Sequence, residues 1–72
     1  MQELLALLER EVGEPVEAGT PLVSSGLVDS LRFAAVLLAL EAHFGTGIDP
    51  ADVGADNFDT PEQMLAFFGA RS

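Results

Sequence analysis

The chain has 72 residues, 49% of them hydrophobic, with no cysteine, one histidine and a net charge of -9 from twelve acidic and three basic side chains. So short a chain hides only roughly 60% of the surface its unfolded form exposes, which leaves little interior for a catalytic cleft and points to one small domain over residues 1–72. The acidity repels nucleic-acid backbones and anionic membrane surfaces, and no apolar run approaches the ~20 residues that span a bilayer, so neither nucleic-acid binding nor membrane insertion is expected. Met1-Gln2-Glu3 lacks the basic start of a signal peptide, and the lack of cysteine fits a reducing compartment. A soluble, cytoplasmic protein is expected. The acidity either keeps a small domain soluble or attracts basic partners, and charge alone does not choose.

Leu4, Leu5, Leu8 and Val12 follow the one-sided spacing of an amphipathic helix over residues 2 to about 12, with Glu3 and Glu9 free to face water and Gly13 as its stop. From Gly13 to Asp29 the chain is rich in Gly, Pro and Ser, a long connection whose Val16, Leu22, Val23 and Leu27 are able to pin it to a core. Those four anchors predict an ordered loop.

A second helix is predicted from about Ser30 to Phe44, with Asp29 or Ser30 as its N-cap and Gly45 as its stop. Phe33, Val36, Leu37, Leu40 and Phe44 form a core stripe, while the opposite side presents Leu31, Ala34, Ala35, Leu38 and Ala42. A helix apolar on both sides is buried all round or meets something else. Full burial is hard to arrange in 72 residues, so the second face is expected to contact a partner.

The segment from Ile48 to Phe58 is too short and polar for more than a turn or a one-turn helix. Thr60-Pro61-Glu62-Gln63 opens the last helix, with threonine at the N-cap, proline at the first helical position and glutamine three residues after the cap. Met64, Leu65, Phe67 and Phe68 supply its apolar face, and Gly69 with Ala70-Arg71-Ser72 predicts fraying. The predicted fold is all-α, a small bundle of three main helices and one short one.

Chemistry is scarce. A hydrolytic use of Ser30 needs a base, and His43 lies 13 residues along the same helix, a rise of ~20 Å. The Gly-x-Ser-x-Gly elbow is also missing. Asp49, Asp52, Asp56 and Asp59 invite a calcium reading, but a loop counted from Asp49 puts Ala51, Val53 and Thr60 at ligand positions. These four read as solvated loop carboxylates, and neither a metal site nor a catalytic residue is expected. Ser30, at the first turn of a helix, is either a plain cap or an acceptor for a phosphate-bearing group, which the unpaired N–H groups and dipole there suit.

The stretch Gly26-Leu27-Val28-Asp29-Ser30-Leu31, followed by Val36-Leu37-Leu38-Ala39-Leu40-Glu41 and Phe44-Gly45, resembles the attachment region of acyl carrier proteins. The resemblance continues through Ile48 and Asn57-Phe58-Asp59-Thr60-Pro61-Glu62 and covers nearly the whole chain. It implies that a phosphopantetheinyl transferase moves the 4′-phosphopantetheine arm of coenzyme A onto Ser30, and that the arm's thiol holds an acyl or aminoacyl group as a thioester. It further implies that the transferase and partner enzymes contact Asp29 and Leu31; Leu38, from the second apolar face, and Glu41, the clearest acid kept on the exposed face, complete the expected partner contacts. In fatty-acid carriers the exposed face of the second helix is usually studded with acids; here Arg32 follows Leu31, and Ala34, Ala35 and Ala42 stand on that face. Docking is therefore expected to rest on Leu31 and Leu38 more than on salt bridges.

The resemblance is nearest to discrete carriers, among them D-alanyl carriers and stand-alone carriers of polyketide or nonribosomal peptide pathways. It implies an adenylating ligase or acyltransferase that loads cargo, and downstream acyl-accepting enzymes. The alternative is an unmodified helical interaction domain docking through Leu31 and Leu38. Leu31 and Leu38 are able to join two copies, but the charge of -9 opposes self-association at low salt, and a monomer is expected.

Overall fold

Leu4, Leu7 and Leu8 share the inward side of the first helix. In the computed structural model, which describes residues 1–71 apart from the side chains of Ala55 and Arg71, α1 spans Gln2–Val12 and buries these three leucines. Leu5 and Val12 are only half-buried. At about 100° per residue Leu5 and Val12 sit on one flank of a stripe centred near Leu4, and Leu7 lies on the opposite edge, which the structure buries. Glu3 in the first turn and Arg10 in the last suit the helix dipole.

α2 spans Ser30–Phe44 and buries Val36 and Leu40, with Phe33, Leu37 and Phe44 packed partly against the core. Its leucines and alanines are among the strongest helix formers. A 3-10 turn at Pro50–Asp52 follows, then α3 at Ala55–Phe58 and α4 at Pro61–Arg71. No strand occurs among the described residues. The observed bundle has the three main helices and one short one that the sequence pattern predicts, with the 3-10 turn added.

α1 packs on α2 and α4, and α3 packs on α4. Between them lie Leu4, Leu8, Leu22, Val36, Leu40, Phe58 and Met64, each almost wholly buried, and each such side chain contributes about 1.5–3 kcal/mol relative to exposure. Phe44 of α2 stacks on Phe68 of α4 at a centroid distance of 4.2 Å and an interplanar angle of 10°, tying the end of α2 to α4.

α4 opens as its sequence predicts. Gln63 N–H donates to Thr60 Oγ1 at 3.2 Å, and Thr60 N–H donates to Gln63 Oε1 at 3.0 Å, a reciprocal capping box. Its apolar face is narrower than predicted: Met64 and Phe68 are buried and Phe67 half-buried, but Leu65 is exposed, one residue or about 100° round from Met64. The fraying expected from Gly69 is also not found, since the helix runs on through Gly69 and Ala70 to Arg71; Ser72, the last residue of that expectation, lies outside the described residues.

The long connection before α2 is ordered by hydrogen bonds as well as by its apolar anchors. Val16, Leu22 and Val28 are buried, and Val23 and Leu27 pack partly against the core. Ala18 C=O accepts from Glu62 N–H at 3.1 Å, and Leu22 N–H donates to Asp59 C=O at 2.7 Å. The loop therefore crosses the start of α4 and satisfies one of the N–H groups that a helix N-terminus leaves unpaired.

α1 and α2 end by one device. Gly13 and Gly45 take left-handed conformations and donate their N–H groups to Glu9 C=O and Glu41 C=O at 2.7 and 2.8 Å. The carboxylates of the same two glutamates then reach past the turn: Glu9 Oε2 accepts from Val16 N–H at 3.0 Å, and Glu41 Oε2 accepts from Ile48 N–H at 2.7 Å. Glu9 is exposed, as its place on the helix predicts, and its carboxylate also fastens the start of the long loop.

Candidate functional site

The lead-in to α2 is a compact turn. Gly26 N–H donates to Val23 C=O and Val28 N–H to Leu22 C=O, both at 3.1 Å, while Ser25 Oγ donates to Pro21 C=O. Gly26 closes the turn at φ 77°, a left-handed conformation that costs a residue with a Cβ roughly 1–2 kcal/mol. Val28 then plunges into the core and Asp29 emerges.

Of the two cap candidates, Asp29 is the one used. It is extended at φ -86° and ψ 179°, and its Oδ1 accepts from Arg32 N–H at 2.7 Å. Ser30 is therefore the first helical residue, exposed, with a hydroxyl that makes no hydrogen bond in the structure. Arg32 turns back toward α1 and donates through Nη1 to Glu11 C=O, which leaves the surface beyond Ser30 to apolar residues.

Leu31 is 84% exposed and Leu38 67% exposed. Successive steps of three or four residues carry one ridge from Leu31 through Ala34 and Ala35 to Leu38 and Ala42. Beside it runs an open apolar groove of about 360 Å³, lined by Ala34, Leu37, Leu38, Glu41, Ile48, Pro50 and Val53. Asp29, Ser30, Leu31 and Leu38 thus lie at the start of α2 or on its outer side. Glu41 also borders the groove, but its carboxylate is committed to Ile48 and the residue is half-buried.

The reading of four solvated aspartates is corrected at Asp59 and extended at Asp49, which is exposed but also makes a cap bond. Asp49 caps the 3-10 turn, its Oδ1 accepting from Ala51 N–H at 2.9 Å. Asp59, between α3 and α4, holds the long loop: Oδ1 accepts from Val23 N–H at 2.8 Å and Ser24 N–H at 2.9 Å, and Oδ2 accepts from Ser24 Oγ at 2.7 Å. These bonds hold the Asp59 carboxyl below its ordinary value of 3.8; Ser24 N–H contributes most, then the Ser24 hydroxyl, then Val23 and Leu22 N–H, against an opposing effect of burial. Asp59 is the site-shaping residue that sequence reasoning missed, because its partners lie 35 and 36 positions away. For Glu9 and Glu41 a signal was present: each stands four residues before a helix-ending glycine and seven before an apolar residue.

Among the described residues no three His, Asp or Glu gather to hold a metal ion, and no helix is long and apolar enough to cross a membrane. Residues 2–68 match the phosphopantetheine attachment site family. The D-alanyl carrier protein of Abiotrophia defectiva is 32% identical over 73 aligned positions, covering 97% of this chain and 92% of that protein. The chain belongs to the phosphopantetheine-binding carrier protein family: it bears a covalently attached 4′-phosphopantetheine, carries rather than catalyses, and works with a phosphopantetheinyl transferase and acyl-handling enzymes.

Proposed function

We propose that Ser30 is the attachment residue and that the chain is a discrete carrier of aminoacyl groups, loaded by an adenylating ligase in nonribosomal peptide- or polyketide-type biosynthesis in the cytoplasm. The observation that carries the assignment is the division of labour at the start of α2. Asp29 takes the cap, so the Ser30 hydroxyl stays exposed and unbonded, and the N–H groups and dipole of a 15-residue helix favour a phosphodiester there. The residues present therefore fit the arm. Attachment joins Ser30 Oγ to the phosphorus of the arm, breaks the pyrophosphate bond of coenzyme A, frees its nucleotide half and gives up the hydroxyl proton. When bound, the arm supplies the thiol that holds cargo as a thioester. The protein's own residues do the presenting, with Leu31 and Leu38 as the apolar contacts, flanked by Asp29 and Glu41.

An aminoacyl cargo is supported by the D-alanyl carrier among its relatives. The apolar outer side of α2, with Leu31 and Leu38 exposed, supports a specialised pathway over housekeeping fatty-acid synthesis. The test is the intact mass after incubation with coenzyme A, magnesium and a broad-specificity phosphopantetheinyl transferase, beside Ser30→Ala. A gain of one phosphopantetheine by the wild type alone is expected. Equal gain by Ser30→Ala would move attachment elsewhere.

A further inference from the structure

Asp59 joins the α3–α4 junction to the turn that leads into Ser30 by side-chain hydrogen bonds. Its carboxylate holds Val23 and Ser24 by three bonds of 2.7–2.9 Å, and its carbonyl holds Leu22 N–H at 2.7 Å. Leu22 C=O in turn holds Val28 N–H at 3.1 Å, and Val28 is followed directly by the capping Asp29 and by Ser30. Bonds to an ionised acceptor are the strong ones. A continuous path thus runs from Asp59 through the turn to the first residue of α2, a helix that packs mainly on α1.

We propose that Asp59 is the positioning residue for Ser30: by fastening residues 22–24 it sets the surface on which the transferase recognises the serine. The proposal rests on Ser30 being the attachment residue. It predicts an effect on recognition more than on the bond-forming step, so loss of Asp59 raises KM for the carrier while kcat changes little.

The experiment measures transferase kinetics with coenzyme A and magnesium on wild type, Asp59→Ala, Asp59→Asn, Ser24→Ala and Leu7→Ala, with urea unfolding of each to define conditions in which it is folded. Asp59→Ala is expected to lose about tenfold to a hundredfold in kcat/KM through KM, the scale that loss of an anchoring contact in a recognition surface brings. Asp59→Asn keeps an oxygen for the two N–H groups and an amide to donate to Ser24 Oγ, so it is expected within about threefold of wild type. Ser24→Ala, which loses one bond of the three, is expected to fall between them. Leu7→Ala opens a cavity in the core from α1 without removing any hydrogen bond of the turn, and tests for a general effect of lowered stability; kcat/KM near the wild-type value is expected.

Wild-type kcat/KM in folded Asp59→Ala overturns the proposal, and so does an equal loss in Leu7→Ala. If Asp59→Ala does not fold, Ser24→Ala decides, and a wild-type value there overturns it. Wild type that takes no arm, or Ser30→Ala that takes one equally, overturns the attachment reading itself, a result distinct from an Asp59 series that is flat on a modified wild type.

Discussion

Glu41 Oε2 accepts the backbone N–H of Ile48 at 2.7 Å across the left-handed turn at Gly45, and this bond fastens the far wall of the groove beside Leu38. A residue that from the chain alone looks like an exposed partner contact is thereby tied into the fold. Glu41→Ala removes a bond to a charged acceptor, and the expected loss of stability is about 1.5–3 kcal/mol. Glu41→Gln keeps an acceptor and is expected to lose less than half of that. Urea unfolding of the two variants separates the role: equal stability in Glu41→Ala and wild type would leave the carboxylate to partner contact alone.

The cap at Asp29 is a second separable quantity. Asp29→Ala is expected to cost about 1 kcal/mol, and Asp29→Asn only a few tenths, because asparagine caps a helix as well as aspartate does. If Asp29 also meets the transferase through its charge, Asp29→Asn shows wild-type stability with slower modification at low salt. Unfolding curves and modification rates on the same preparations read the two effects apart.

Leu38 and Leu40 are two residues apart on α2, yet one is 67% exposed and the other fully buried. Leu40→Ala is expected to destabilise by about 2–5 kcal/mol. Leu38→Asp, at a surface position, is expected to stay within about 0.5 kcal/mol of wild type while weakening affinity for a loading or accepting enzyme. Calorimetric titration against such an enzyme tests this; an unchanged affinity in Leu38→Asp, or wild-type affinity that collapses with modest salt, counts against docking through the apolar ridge.

The depressed Asp59 pKa makes part of the stability depend on pH. The folded value lies below the unfolded one, so the unfolded chain binds the proton first and the contribution is present above the ordinary value of 3.8. It is lost as pH falls through the folded value. Because Asp59 is half-exposed, solvent screens it and the effect is modest. The stability difference between wild type and Asp59→Asn is expected to be constant near neutral pH and to shift toward the variant below 3.8. A difference that stays constant throughout would mean that Asp59 titrates alike in both states.

The local chemistry of the chain determined its elements. Gly13, Asp29, Gly45 and the Thr60–Gln63 box stop and start helices through groups within four residues of themselves, which is why the bounds of α1 and α2 and the start of α4 were legible, and why Ser30 was legible from the motif around it. The inward side of each helix was legible only in outline, since Leu7 and Leu65 sit where a stripe's edge depends on the neighbour it meets. Only the tertiary structure decided how the long loop is held and hence where Ser30 stands. Asp59 and Ser24 are 35 residues apart, and a carboxylate carries no mark of which distant N–H it will accept until the core has brought the α3–α4 junction against the turn.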